Sequence, residues 1–305
     1  MAHVLFITEK YHSGPAFGLT NNMYNLIGSY ECSGYGTYKH VFIDETEIWS
    51  SQGVDDALLS NEYDAAIISV YHHLPSHPVA LKVGHKTAMC WWDSVISMGS
   101  VNAWAGMIHQ LCFDWGMGEE MPNSFCVEVP QDTRIFYRDP NVVKDIDISF
   151  VGSITNYWSD RGRAIQKIKD AGFNVWAGGG RGPGLDNLPI EEYANIFRRS
   201  KICLNLSYGH GRPQRKGRSF EIAASGGFMM CNCPEMFKGK DGEWFTDGID
   251  YVSFNDDNMI DQIRYHLERE DIRTRVENAI YDKYYSSYAP KQFWKKVLGV
   301  CGVSV

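Results

Sequence analysis

The chain has 305 residues, 44% of them hydrophobic and 22% charged, and carries a net charge of −8. That length suits two domains of about 150 residues each, and the composition excludes a disordered chain. No apolar run approaches the roughly 20 residues that cross a bilayer, and the eight cysteines sit mostly in apolar, strand-like runs rather than in a disulfide pattern, which points to a reducing cytoplasm.

The opening "MAHVLFITEKYHSG" lacks a basic leader and reads as a first strand rather than a signal peptide. Further strands are expected at 40–44, 64–70, 87–93 and 124–129. Several are near-continuous in Ile, Val and Ala, as strands covered on both faces are. Between the first two strands, Leu19, Met23, Leu26 and Ile27 share one helical face. This alternation predicts an α/β, doubly wound parallel sheet. The stretch 129–147 has two prolines, mixed charge and no periodicity, and reads as a domain link. The pattern then restarts, with strands at 147–152, 174–178, 201–207 and 228–231, helices at 161–171, 190–199 and 216–225, and a helical, aromatic-rich tail over 256–300. The expected organisation is a Rossmann-like domain over 1–140, a second over 141–288, and a segment 289–305 that can pack back on the first.

Charge is uneven. Residues 1–145 hold 7 Lys+Arg against 17 Asp+Glu, whereas 146–305 hold 22 against 20. From Tyr193 through Phe220 there is no acid, yet there are seven cations: Arg198, Arg199, Lys201, Arg212, Arg215, Lys216 and Arg218. Four of them crowd the loop after strand 201–207, at the carboxyl end of a strand, where open α/β sheets bind ligands. With a helix start beside it, the loop reads as a phosphate or diphosphate site, the competing reading being a solvated basic loop. Glu221 then stands in an otherwise apolar helix. Such a carboxylate is costly to bury unpaired; it can accept hydrogen bonds from a ribose diol or pair with Lys216 or Arg218. Gly226 and Gly227 supply the helix stop. In "DISFVGSITNYWSDRGR", Gly152 and Ser153 end a strand and Arg161 lies near the next helix start, a second place for phosphate contact.

Other motifs point elsewhere or nowhere. "VWAGGGRGPG" (175–184) lacks the tight strand–turn–helix context of a dinucleotide fingerprint and reads as a flexible wall around a base or sugar. His72, His73 and His77 have no acidic or cysteine partner at zinc spacing, nor does Cys231-x-Cys233 have a second pair, so no metal site is expected. Asp93 ends the strand in "CWWDS", as a catalytic group or as the N-cap of the following helix. Tyr71, His72, Trp91, Trp92 and Trp104 offer aromatic surface on that side.

Three blocks, "DISFVGS", "EEYANIFRRSKICLNLS" and "KGRSFEIAASGGF", resemble in order and spacing the GT-B glycosyltransferases, specifically the CgeB-like group of the glycosyl transferase group 1 superfamily, over about 130–298. The first half is similar more loosely: "FGLTNNMYNLI" places Gly18 at the family's glycine position, and Trp92-Asp93 stands where many relatives carry His-Asp. The resemblance implies two Rossmann-like domains facing across a cleft, with a nucleotide-sugar, by default a UDP-sugar, held by the second. Glu221 would bind the ribose. Lys216 and Arg218, with Ser153, would neutralise the diphosphate, and Gly209 and His210 would line the sugar pocket. The first glutamate of the family's Glu-x7-Glu motif would fall at Pro213 and is absent. Transfer to an acceptor hydroxyl would need neither metal nor cofactor and would retain configuration, the leaving phosphate taking the acceptor proton; an inverting enzyme would use Asp93 as base. The acidic first half favours a saccharide or small-molecule acceptor near Tyr71, His72, Trp92 and Asp93. A viral-type enzyme acting on hydroxymethylated DNA bases, in a host cytoplasm, is the alternative, and a nucleotide-sugar-binding protein without catalysis is the reading from another class.

Overall fold

The computed structural model describes residues 1–9, 21–43, 50–70, 74–92, 105–113, 123–152, 154, 159–179, 188–209, 212–213, 215, 217–239 and 242–305. The chain divides into two compact units, Met1–Asp132 with Pro290–Val305, and Thr133–Ala289.

In the first unit, β1 (Ala2–Glu9), α1 (Asn21–Ser33), β2 (Gly36–Ile43), α2 (Gln52–Leu59), β3 (Ala65–Ser69), α3 (His77–Val83), β4 (Thr87–Trp91), β5 (His109–Cys112) and β6 (Ser124–Cys126) follow in order. All six strands pair in parallel, in the order β2-β1-β3-β4-β5-β6. The central β3 and β4 are buried throughout, whereas the edge strand β2 is largely half-exposed. That contrast is why the former read as unbroken apolar runs.

Strand β5 has no counterpart in the sequence-based expectation. Its polar Gln110 is nevertheless fully buried, accepting from Trp91 Nε1 and donating to the Ile108 carbonyl at 2.9 Å. A buried amide satisfied on both sides costs little. The strand expected at 124–129 stops at Cys126, after which Glu128 is buried with Lys296 Nζ 2.8 and 3.0 Å from its two oxygens.

The second unit contains β7 (Ile146–Gly152), α4 (Ser159–Asp170), β8 (Val175–Gly179), α5 (Ile190–Arg199) and β9 (Ser200–Asn205). A small ladder of β10 (Tyr208–Gly209) with β11 (Arg212–Pro213) precedes α6 (Arg218–Ala224) and β12 (Met229–Cys231). The pair β13 (Lys238–Gly239) and β14 (Gly242–Glu243), then β15 (Val252–Ser253), α7 (Met259–Leu267) and α8 (Glu270–Ser287), complete it. Its parallel sheet runs β15-β12-β9-β7-β8. The first strand, β7, therefore lies between β8 and β9, and the strand order reverses there.

Helix α6 ends as its sequence implies, with Gly226 at φ +66°, the left-handed residue that commonly closes a helix. The helical tail is three helices, α7, α8 and α9 (Pro290–Val300), the last belonging to the first unit. Among the described residues, no helix is long and apolar enough to cross a membrane.

Candidate functional site

In an open α/β sheet, the carboxyl ends of strands flanking the reversal point form the customary ligand crevice. Here those ends belong to β7 and β9, and two arginines converge on them. Arg218, the first residue of α6, is buried; its Nε donates to the Val151 carbonyl and its Nη1 lies 3.5 Å from the Leu206 carbonyl. Arg161, in the first turn of α4, is buried too and donates from Nε to the same Leu206 oxygen at 3.1 Å. Both guanidiniums approach the Phe150 ring, at 4.4 Å for Arg218 and 5.8 Å for Arg161, within cation–π range. Burial and the Arg218 charge push Arg161 down to about 9, so it stays protonated at neutral pH. Burial also lowers Arg218, opposed by Tyr193 and Glu221.

Gly152 makes this arrangement possible. Its φ is +149°, and a Cβ there would lie 2.1 Å from Arg218 Nη2. Gly152→Ala is expected to destabilise the chain by about 1–3 kcal/mol through backbone strain alone, read as a lower urea midpoint at unchanged slope. Unaltered stability would mean that the β7 terminus relaxes without cost.

Glu221 sits one turn into α6 and is 4% exposed. Tyr193 of α5 donates its hydroxyl to Glu221 Oε2 at 2.7 Å, and both residues are buried. Burial raises the Glu221 carboxyl above its ordinary range, opposed by the Tyr193 hydrogen bond and the Arg218 charge. Burial and the nearby carboxylate push the Tyr193 phenol well up. Beside them, Asn205 donates to Ser219 Oγ at 2.9 Å and accepts from Ser207 Oγ at 2.8 Å, while Ser207 N donates to Asn232 Oδ1 at 2.9 Å. These bonds tie the first turn of α6 to the end of β9.

The cation cluster is smaller than the sequence suggests. Arg199 makes a two-pronged bond to Asp145 at 2.8 and 2.6 Å, and Lys201 pairs with Asp147 at 2.7 Å. Arg198 donates to the Ile135 carbonyl at 2.7 Å and stands 4.6 Å over Tyr137. These three occupy the α5–β9 junction, at the amino end of β9, and have structural partners there. Arg215 is buried 4.0 Å over Trp244. Leu206 also borders a polar cavity of about 860 Å³, walled in part by Asp160, Lys167, Glu235 and Asp256. Asp257 and Arg163 complete its charged lining, and four carboxylates against two cations make it a poorer seat for a polyanion than the side of Leu206 that faces Arg161 and Arg218.

The structure thus brings together Gly152, Arg161, Arg218 and Glu221. Gly226 and Gly227 lie past the other end of α6, where a Cβ would meet Arg138 and Cys203 respectively. Gly209 pairs with Arg212 in the β10–β11 ladder. In the first unit, Trp92 follows β4, donates to Ser69 Oγ at 2.8 Å and stacks on Phe113 with centroids 4.1 Å apart. Gly18, Tyr71, His72, Asp93, Ser153, His210 and Lys216 lie outside the described residues. Two features of the site were not anticipated: Tyr193, visible in sequence only as one apolar position of an amphipathic helix, and the shared Leu206 carbonyl, which leaves no sequence signal. Among the described residues no cluster of three or more His, Cys, Asp or Glu is placed to hold a metal.

A family profile described as glycosyl transferase-like matches residues 143–299, more than half of the chain and nearly all of the second unit. The chain belongs to this glycosyl transferase-like family. It is a glycosyltransferase with two parallel sheets and alternating helices, the GT-B fold of its solved neighbours. Anabaena Alr3699/HepE, solved in complex with UDP and glucose, is 9% identical with a TM-score of 0.60, over 98% of this chain and 99% of that one. S. aureus TarM, solved as a point mutant in complex with Fondaparinux, alpha-GlcNAc-glycerol and UDP, is 11% identical with a TM-score of 0.54. The match covers 83% of this glycosyltransferase but 59% of TarM. An alpha1,3-fucosyltransferase solved with GDP-fucose is 12% identical with a TM-score of 0.50, over 98% and 91% of the two chains. No curated protein matches the chain in sequence.

Proposed function

We propose that this glycosyltransferase, a member of the CgeB-like group, moves a sugar from a nucleoside diphosphate sugar to an acceptor hydroxyl. The observation that carries the reading is the convergence of two buried arginines, Arg161 and Arg218, on the carbonyl that follows β9, with Glu221 one turn further along α6. In this reading the guanidiniums, joined by Lys216 and Ser153, take the diphosphate, and Glu221 accepts from the ribose. As the bond from the anomeric carbon to the diphosphate oxygen breaks, negative charge grows on the leaving group. Preorganised cations stabilise that charge without reorganising. The acceptor oxygen forms the new bond, and its proton passes to the departing phosphate oxygen if configuration is retained, or to Asp93 if it is inverted. A saccharide or small-molecule acceptor is favoured, and the neighbours solved with UDP and glucose, or with UDP and alpha-GlcNAc-glycerol, support that choice. Neither metal nor cofactor enters this scheme.

The test is a thermal-shift series with UDP-, GDP-, ADP- and TDP-sugars. A ligand at 100 times its Kd stabilises the native state by about 2.7 kcal/mol, so one base is expected to raise the melting temperature by several degrees. No shift with any of them rejects the donor assignment. A second reading, binding without catalysis, is favoured by Pro213, which occupies the position of the family's first motif glutamate; binding with neither hydrolysis nor transfer of the donor would support it.

A further inference from the structure

Tyr193 is absent from the roles assigned above, yet its surroundings are those of a fixed part. It lies in the first turn of α5, with its ring edge-on to Phe197 at 5.4 Å and to Phe136 at 6.2 Å. Gly179 closes a third side: a Cβ there would stand 3.6 Å from Tyr193 Cδ2. Two aromatic neighbours and a glycine leave the ring little rotational freedom, so the position of its hydroxyl is set by packing. That hydroxyl donates to Glu221 Oε2 at 2.7 Å. The other carboxylate oxygen, Oε1, has no hydrogen-bond partner among the described residues.

We infer that Tyr193 is a positioning residue that locks one oxygen of Glu221, so that the carboxylate presents the other to the ribose and makes the site selective for ribonucleotides. The inference rests on the donor reading above and adds a residue and a selectivity to it. A glutamate side chain held in one rotamer before the ligand arrives has already lost the entropy that binding would otherwise cost. The phenol hydrogen bond also favours the charged form of Glu221 against the effect of burial, and an ionised acceptor makes the stronger bond to a sugar hydroxyl. Without Tyr193 the carboxylate can swing, or take up a proton, and both outcomes blunt its preference for a hydroxylated sugar.

The experiment is calorimetric titration with UDP, GDP and ADP, each against its 2′-deoxy and 3′-deoxy forms, on the wild-type chain and on Tyr193→Phe, Glu221→Gln and the double variant. The wild type is expected to prefer the best ribonucleotide over at least one deoxy form by about 10- to 100-fold, the size of one hydrogen bond to a charged group. In Tyr193→Phe that preference should fall by about three- to tenfold, with the deoxy form bound nearly as in wild type. On the Glu221→Gln background the tyrosine substitution should change the preference little, since the cycle isolates the coupling between the two residues. A preference unchanged in folded Tyr193→Phe, or one lost equally on both backgrounds, overturns the role of Tyr193 and leaves the donor reading standing. Wild-type protein that binds none of the six nucleotide pairs overturns the ribonucleotide selectivity, and the donor reading falls with it only if TDP-sugars also give no thermal shift.

Discussion

Arg218→Ala is expected to lower kcat/KM for the donor by about 10²- to 10³-fold, the usual consequence of removing one preorganised donor to a developing anion. The side chain is buried, and its guanidinium bridges the end of β7, through the Val151 carbonyl, to the Leu206 carbonyl that follows β9. Truncation therefore removes a positive charge and also the fork that joins two strand ends. Arg218→Lys should recover little of the loss, because an ammonium cannot reach both carbonyls and a phosphate from one planar group. Nucleoside diphosphate affinity should fall with kcat/KM, while the bare nucleoside, which lacks the charge, should bind nearly as before. The measurement pairs steady-state kinetics with calorimetry on UDP and uridine, or on the base that the thermal-shift series selects. A folded Arg218→Ala enzyme within threefold of wild type would falsify the diphosphate assignment. Equal losses for nucleotide and nucleoside would instead mark Arg218 as a structural tie between the strands.

Much of this site is legible in the sequence because its chemistry is local. Gly152 ends a buried strand, Arg218 and Glu221 fall three residues apart, and the apolar runs on either side fix β7, β9 and α6 to within two residues of where the structure has them. What is not legible depends on pairing across the chain. Arg199 and Lys201 read as part of a basic cluster, yet their partners Asp145 and Asp147 lie 54 residues earlier, brought opposite by the β7–β9 pairing. Strand β5 escapes notice for the same reason: the Trp91 indole that accommodates Gln110 comes from the neighbouring strand. Tyr193 looks like one more core aromatic of α5 until Glu221 arrives from α6, 28 residues on. Charge patterning along a sequence counts ions, and only the fold shows which of them are already engaged.

The largest effect on stability is expected in the first unit, from Trp294→Ala. Helix α9 contributes this indole to the core, where it is fully buried. Its ring meets Tyr30 edge-on at 5.0 Å, Phe293 at 5.1 Å and Phe6 at 5.7 Å, and its Nε1 donates to Ser29 Oγ at 2.9 Å. Phe6 belongs to β1 and Ser29 and Tyr30 to α1, so one side chain near the end of the chain joins two elements near its start. Removing it leaves a cavity among stiff aromatic rings, which cannot collapse to fill it, and strands the Ser29 hydroxyl's acceptor side. The expected loss is about 3–5 kcal/mol. Trp294→Phe, which keeps most of the ring volume and gives up the indole N–H, should lose less than half as much. Urea unfolding followed by far-UV circular dichroism reads both values. A loss below about 1 kcal/mol for the alanine variant would be too small for a fully buried indole, and would mean that α9 detaches from β1 and α1 without unfolding the unit. A loss in the full range makes the helix an integral layer of the first sheet's core.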